Sequence, residues 1–318
     1  MSPRAETFAA VAGSFGGRFD RSFARVARAV ESAREGGASL VVLPECALGG
    51  YLTVDGRHAR PLDLDGPELE RLCEVAGDTV VCAGFTERAG RFGRPFSSAV
   101  CLSGDGILGV QRKVHLPPSE IGVFSAGQGF AAFDTPVGRL GMLVCYDKVF
   151  PEAARTLALD GAEVIASLSA WPLDRRDPAR RIAADRQTRH FNLLDEARAL
   201  ENQVVWVSSN LTGRIGPLRF LGQAKVVDPD GNVLAQTGGR SGTAVAEVAV
   251  APAIASSRAA ISHLDDRADA AYRLDRPAPA APAAAPAEAP ERRRAPVALP
   301  APGVPAGPLP GAAAASLA

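Results

Sequence analysis

The chain reads Gly138-Arg-Leu-Gly-Met-Leu-Val-Cys-Tyr-Asp-Lys-Val-Phe-Pro-Glu-Ala-Ala-Arg155 at the point that decides its fold. The apolar run 140–144 predicts a buried strand, and Pro151 with the apolar spacing behind it predicts a helix over 151–159. Cys145 lies at the corner between them, where free backbone N–H groups and the positive end of a helix dipole favour a thiolate. The corner suits a nucleophile, although a cysteine that ends a core strand is also a common inert packing residue.

Outside this corner the apolar periodicity predicts further strands joined in some places by helices and in others by hairpins. The predicted strands are 8–12, 40–43, 79–85, 97–102, 107–110, 130–134, 139–144, 164–168, 204–208, two that flank the turn 228–231, and 245–250. The predicted helices are 21–34, 67–76, 151–159 and 179–202. This mixture indicates an α/β fold with mixed sheets covered by helices, and we infer a sandwich of two sheets.

The composition divides the chain into two parts. Residues 1–275 have the apolar content and patterning of one globular domain. Residues 276–318 are dominated by alanine and proline and contain no aromatic residue. Such a segment cannot bury enough apolar surface to offset its ordering entropy, so we expect a disordered tail.

Charge and cysteine usage limit the class of protein. The formal net charge is zero, so nothing favours nucleic acid or an anionic membrane as a partner. The five cysteines show no paired or metal-like spacing, which indicates reduced thiols in a cytoplasmic protein. The N-terminus lacks a secretory pattern, and no apolar run is long enough for a membrane helix, so we expect a soluble protein.

Three polar residues directly follow predicted strands: Glu45, Lys113 and Cys145. In α/β folds, ligands and catalytic groups gather at such strand ends. A thiol, a carboxylate and an ammonium group together make a covalent hydrolase possible, with Cys145 as nucleophile, Glu45 as general base and acid, and Lys113 as the group that stabilises the thiolate and the oxyanion. A buried Lys–Glu pair with a purely structural role is the competing interpretation.

The segments around these residues resemble the signatures of the nitrilase superfamily of carbon–nitrogen hydrolases. The matching segments, in the family's order, are Leu43-Pro44-Glu45 with Gly50-Tyr51, Arg112-Lys113-Val114-His115-Leu116, and Cys145-Tyr146-Asp147 with Phe150-Pro151-Glu152. Glu120 resembles the family's second glutamate, which orders the lysine and the substrate. The resemblance implies an α-β-β-α sandwich that forms a homodimer or a higher homo-oligomer. It also implies an oxyanion hole made of the Lys113 ammonium and the Tyr146 backbone N–H.

The resemblance also bears on the substrate. Tyr146-Asp147 after the cysteine is similar to the amidase and carbamoylase branches, whereas nitrilases usually carry Trp-Glu there, so we expect a small-molecule amide or N-carbamoyl substrate, with a nitrile as the alternative. Lys148 occupies a position where some relatives carry a basic group for a substrate carboxylate. Tyr51, Tyr146 and Trp171 are candidates for the wall of the substrate pocket.

Other functional classes remain open. A non-catalytic binding protein with the same fold is one, since fold does not fix function. A Cys–His hydrolase that pairs Cys145 with His115 is another, although His115 two residues after Lys113 is more typical of a structural histidine. The histidines lack metal-ligand spacing and no glycine-rich phosphate loop is present, so we expect neither a metal nor another cofactor.

Overall fold

The computed structural model describes residues 5–54, 59–90 and 93–274. The predicted tail 276–318 lies outside the described residues. The α-helices of the described segments are α1 (Phe19–Glu35), α2 (Pro67–Ala76), α3 (Pro151–Leu159), α4 (Arg186–Asn202) and α5 (Val250–Arg258). The strands are β1 (Glu6–Gly13), β2 (Leu40–Val42), β3 (Val80–Glu87), β4 (Phe96–Ser103), β5 (Gly106–Arg112), β6 (Phe133–Thr135), β7 (Gly138–Val144), β8 (Val164–Ser169), β9 (Val205–Ile215), β10 (Leu218–Leu221), β11 (Lys225–Val227), β12 (Val233–Gln236) and β13 (Gly242–Val248). Residues 268–274 contain a short 3-10 turn, Asp269–Ala271.

The strands form two mixed halves. In the first half, β2 is parallel to β1 and β3, whereas β4, β5 and β13 add antiparallel pairs. In the second half, β7, β8 and β9 are parallel, and β6, β10, β11 and β12 are attached in antiparallel orientation. Hydrogen bonding continues from β1 to β9 only through the pairs Ala12 with Asn210 and Gly13 with Leu211. The two halves therefore join at one corner.

The halves face each other across a shared apolar core. Phe8, Leu40 and Val80 from the first half belong to the same buried cluster as Met142 and Val207 from the second. Burial of a side chain of this size contributes about 1.5–3 kcal/mol, so the interleaved faces are a major source of stability.

Helices cover the outer faces. Val26 of α1 and Leu72 of α2 pack on the first half, and Leu157 of α3 and Ala199 of α4 pack on the second. The layers follow the order α-β-β-α, which confirms the predicted sandwich of two mixed sheets.

Three elements differ from the sequence-based expectation. Helix α4 begins at Arg186 and not near residue 179, because the Asp185 side chain accepts the Gln187 N–H and caps the helix there. Residues 250–258 form helix α5, so the last strand ends at Val248. The short strand β10 was not predicted. None of the described helices is long and apolar enough to cross a membrane.

A glycine in β3 allows the strand to pass close to the end of β2. A Cβ atom on Gly84 would lie 2.5 Å from the Glu45 Cα and 2.8 Å from the Cys46 backbone nitrogen. Cys46 itself adopts a left-handed backbone conformation, with φ of 60°. The position of Glu45 therefore depends on the missing side chain of Gly84.

We expect Gly84→Ala to lower the free energy of unfolding by about 1–3 kcal/mol, as other overpacked cores do, and to reduce turnover because Glu45 is displaced. Urea unfolding and steady-state kinetics measure the two effects. Gly129→Ala is the matched control, since a Cβ there meets no atom within 4 Å. Equal behaviour of the two variants would contradict the prediction.

Candidate active site

The Glu45 side chain lies at the centre of a buried hydrogen-bond network at the end of β2. Its Oε1 atom accepts hydrogen bonds from Lys113 Nζ at 2.9 Å and from Ser97 Oγ at 3.0 Å. Its Oε2 atom accepts the Ala170 backbone N–H at 3.0 Å. These partners fix the carboxylate in one orientation.

Lys113 follows β5 and its ammonium lies between two carboxylates. Nζ is 2.9 Å from Glu45 Oε1 and 2.8 Å from Glu120 Oε2, and all three side chains are about 1% exposed or less. Burial alone lowers the pKa of Lys113, but the opposing effect of Glu45, Cys145 and Glu120 is larger and holds its pKa well above the ordinary value. The two carboxylates therefore favour the charged form of Lys113.

Glu120 is linked to Tyr51, whose OH donates to Glu120 Oε1 at 3.2 Å. Burial raises the pKa of Glu120 and the Glu45 charge adds to this, while Lys113 opposes both. The two glutamates thus share one lysine, and Tyr51 holds the second glutamate in place.

Cys145 directly follows β7 and starts a five-residue 3-10 helix, Cys145–Val149. Its φ of 50° places it in the left-handed region, a conformation that costs a non-glycine residue about 1–2 kcal/mol. Burial and then the Glu45 carboxylate raise the pKa of the thiol, although Lys113 and the Ala170 N–H oppose them. Two buried carboxylates beside the thiol, which the sequence did not reveal, therefore act against the predicted effects of the helix end and of Lys113 on the thiol pKa.

The turn after Cys145 is braced to the strand end that carries Lys113. Asp147 is fully buried and accepts the backbone N–H groups of His115 at 2.8 Å, of Val144 at 3.3 Å and of Val114 at 3.4 Å. His115 Nδ1 lies 2.9 Å from the same carboxylate. One side chain thus fixes the turn that starts at Cys145 relative to the strand end that carries Lys113.

The His115 ring has structural contacts on both its edge and its face. Besides Asp147, it stacks on Phe150 with a centroid separation of 3.7 Å. These contacts support the structural interpretation of this histidine.

Lys148 belongs to a second buried ionic cluster. Asp195 Oδ1 lies 2.7 Å from Lys148 Nζ, and Asp195 Oδ2 lies 2.7 Å from Lys225 Nζ. Trp206 Nε1 donates to the same aspartate at 2.9 Å, and the Lys148 ammonium lies 3.1 Å from the Phe191 ring centroid. Burial, together with the Lys225 charge and against the attraction of Asp195, lowers the pKa of Lys148 to about 8.

The three aromatic candidates for the pocket wall differ in burial and in their contacts. Tyr51 is buried and bonded to Glu120, whereas Tyr146 and Trp171 are half-buried. Tyr146 meets Phe150 edge to face, and Trp171 Nε1 donates to Gln187 Oε1 at 2.9 Å. Trp171 directly follows Ala170, whose N–H binds Glu45.

Sequence patterns did not identify several residues of the site. Ser97, Asp195 and Lys225 lie inside regular elements, where no local pattern distinguishes them from other polar residues. The sequence indicates Asp147 only as part of the Cys145-Tyr146-Asp147 signature. Its role in binding backbone N–H groups depends on its burial beside a strand end, where buried polar groups need hydrogen-bond partners. Among the described residues no group of three or more His, Cys, Asp or Glu side chains has a metal-binding arrangement.

Comparison with known proteins agrees with this geometry. The family model of carbon-nitrogen hydrolases matches residues 9–256. The chain belongs to the carbon–nitrogen hydrolase family. This confirms the resemblance inferred from the signature segments and makes the protein a hydrolase by class.

Individual relatives of this carbon–nitrogen hydrolase carry different activity names. It is 33% identical over 221 residues to a protein named nitrilase from Pyrococcus abyssi, across 68% of this chain and 78% of the relative. It is 35% identical over 209 residues to an (R)-stereoselective amidase from a Pseudomonas species, across 64% and 70% of the two chains. The crystal structure of a carbon-nitrogen hydrolase from Helicobacter pylori G27 superposes with a TM-score of 0.72 at 26% identity, covering 85% of this chain and 97% of the other.

We expect Asp147→Asn to lower kcat about 10²-fold, because an amide cannot accept all the N–H groups that hold the nucleophile turn, and small misplacements have effects of this size. KM should change much less, since Asp147 is a positioning residue. Steady-state kinetics gives the split, and Glu152→Gln, an exposed carboxylate in the first turn of α3, is the control. A loss that falls on thermal stability alone would contradict the role.

We expect Asp195→Asn to lower the free energy of unfolding by about 3–5 kcal/mol, because it leaves two buried ammonium groups without their counter-charge. Urea unfolding measures the loss. The control on the same helix is Glu201→Gln, whose pair with Arg198 is partly exposed and contributes about 1 kcal/mol or less. Similar losses in the two variants would show that the buried cluster is not held by Asp195.

Proposed function

We propose that this protein hydrolyses a carboxamide or an N-carbamoyl compound through a thioester on Cys145. The observation that carries the proposal is the buried Glu45–Lys113–Glu120 network beside a cysteine at a strained strand-to-helix corner. A purely structural ion pair needs no thiol at such a position. The family provides the reaction class, and the residues provide the roles.

The first step needs a base because burial and the Glu45 carboxylate raise the pKa of the Cys145 thiol. Glu45 takes the Cys145 proton as the sulfur attacks the amide carbon, and a C–S bond forms while the C=O double bond becomes a single bond to an oxyanion. The Lys113 ammonium and the Tyr146 N–H would stabilise this oxyanion. Tyr146 lies in the first turn of the 3-10 helix, where backbone N–H groups have no partner within the helix.

The second step breaks the C–N bond. Protonated Glu45 returns its proton to the leaving nitrogen, and a primary carboxamide releases ammonia and leaves a thioester. Water then gives a proton to Glu45 and attacks the thioester carbon, the C–S bond breaks, and the proton returns to the sulfur. Glu45 is thus base, acid, base and acid again, and water is the only other reactant.

The two glutamates have different roles in this scheme. Glu45 raises the pKa of the thiol more than Glu120 does. The Ala170 N–H that binds Glu45 also interacts with the thiol. Glu120 is occupied by Lys113 and Tyr51. We therefore assign proton transfer to Glu45 and the positioning of Lys113 and of the substrate to Glu120.

The choice of an amide over a nitrile rests on Tyr146-Asp147 after the nucleophile and on the amidase among the relatives. A nitrile is the second candidate, supported by the nitrilase from Pyrococcus abyssi. Tyr51, Tyr146 and Trp171 are proposed as walls of the substrate pocket. Lys148 as a ligand for a substrate carboxylate stays a prediction, as do the homodimer or higher oligomer and the cytoplasmic location.

We expect Cys145→Ala to lower ammonia release from a panel of amides, carbamoyl compounds and nitriles by at least about 10³-fold, because the covalent route is lost. Cys73→Ala, which removes a half-buried thiol on α2, is the matched control. Mass spectrometry of the wild-type protein after rapid acid quench should show an acyl adduct on Cys145.

The panel also separates the competing functions. Turnover of nitriles alone would show that the protein acts as a nitrilase. Ammonia release that persists in Cys145→Ala would contradict the proposed thioester mechanism. A wild-type protein inactive on every class, with Cys145 no more reactive toward a thiol probe than the other cysteines, would favour the non-catalytic binding protein.

A further inference from the structure

A cavity of about 440 Å³ lies between the loop 172–180 and the β9–β10 hairpin. Four of the side chains that line it are arginines: Arg175, Arg180, Arg214 and Arg219. Asp174 provides the carboxylate in its lining. We refer to this space as the arginine cavity.

Two of these arginines lie directly opposite each other. Arg219 of β10 is the antiparallel partner of Arg214 of β9. Directly opposed residues on neighbouring strands share one face, and like charges in this arrangement destabilise the sheet. An anion between them would remove that repulsion.

The four guanidinium groups have no neutralising partner within the described segments. The arginine ion pairs there involve Arg60, Arg88, Arg112, Arg139, Arg186 and Arg198 instead. Asp174 is itself occupied: it accepts the backbone N–H groups of Arg176 at 2.9 Å and of Asp177 at 3.2 Å, and it pairs with Arg186. These contacts lower the pKa of Asp174 to about 2. The cavity therefore keeps an excess of positive charge.

The loop that forms one wall is held in a defined shape. The Asp185 side chain is buried and accepts the N–H groups of Asp174, Ala179 and Gln187 at 3.1, 3.0 and 2.9 Å. The Leu173 N–H donates to the Arg219 carbonyl at 2.8 Å and ties the loop to β10. The arginines are thus presented by a fixed frame.

The arginine cavity adjoins the catalytic network. Arg175 and Leu218 line both this cavity and a second one of about 190 Å³, which is also lined by Tyr51 and Ser119. Tyr51 donates to Glu120 within the network. The two cavities thus share part of their lining, and the smaller one reaches Tyr51, which is hydrogen-bonded to the ionic network.

We propose that the arginine cavity binds an anionic group at the far end of the substrate. The substrate class is then an amide or carbamoyl compound that carries a carboxylate or a phosphate remote from the bond that is cut. Guanidinium groups bind either oxyanion through paired hydrogen bonds. This inference rests on the proposed function for the reaction, but the binding of the anion can be tested separately.

The kinetic test uses three amides of equal chain length, ending in a carboxylate, a phosphate or an uncharged methyl ester. For the wild-type protein, kcat/KM should be highest for one of the anionic amides, and the better one identifies the oxyanion. In Arg214→Met and Arg219→Met the ratio of kcat/KM between that amide and the methyl ester should fall about tenfold or more. Arg28→Met, an exposed arginine on α1, is the control and should keep the ratio.

The binding test uses Cys145→Ala protein with glutarate or inorganic phosphate, followed by calorimetry and by the shift in melting temperature. Binding should be lost when Arg214→Met is added, while the melting temperature without anion should stay equal or rise, because a repulsive pair has been removed. If Arg214 has a structural role instead, its replacement should lower the melting temperature.

The outcomes separate the two proposals. If no amide is cleaved but the anion binds and Arg214→Met abolishes binding, the proposed reaction fails and the anion site stands. If amides are cleaved but the ratio is the same in every variant and neither anion binds, the arginine cavity is not a substrate site.

Discussion

The ion pairs of Lys113 with Glu45 and Glu120 are the interaction on which the site depends. A lone ammonium in this position would be deprotonated by burial, and two lone carboxylates would be protonated. Together they keep a cation and at least one carboxylate next to the thiol in a buried site. The cost of desolvating these groups is offset by the short distances between the charges and by the further donors to Glu45, Ser97 Oγ and the Ala170 N–H.

A second ionic cluster of opposite formal sign lies behind the nucleophile. Glu45, Glu120 and Lys113 sum to one negative charge, whereas Lys148, Lys225 and Asp195 sum to one positive charge. Lys148 lies in the 3-10 helix that Cys145 starts, so this second cluster is held close to the thiol. In the proposed reaction the sulfur and then the substrate oxygen become negative, and the positive cluster would already be in place, so little reorganisation would be required.

Much of the fold could be predicted because apolar runs mark its strands. The core of the site could be predicted because its residues directly follow such runs. Glu45, Lys113 and Cys145 each follow an apolar run, and the parallel strands bring such positions together. Asp195 and Ser97 could not be predicted, since each lies within a regular element and meets its partner only in the folded chain. The same limit applies to the thiol pKa, whose direction depends on burial and on two carboxylates distant in sequence. Helix α4 was predicted too long because the charged residues before it resemble helix formers, while the Asp185 cap that sets its start is a tertiary feature of the loop.

The order of strand pairing has a consequence for synthesis of the chain. Among the described strands β1 is synthesised before the others, yet one of its neighbours is β13, which includes residues 242–248, and its bridge to β9 needs Asn210. Until those residues are made, the nascent chain presents an apolar strand with an unpaired edge, which is a template for aggregation. Productive folding therefore requires nearly the whole hydrolase domain to be synthesised. A polypeptide truncated after Cys145 would be an aggregation-prone fragment and not a smaller enzyme.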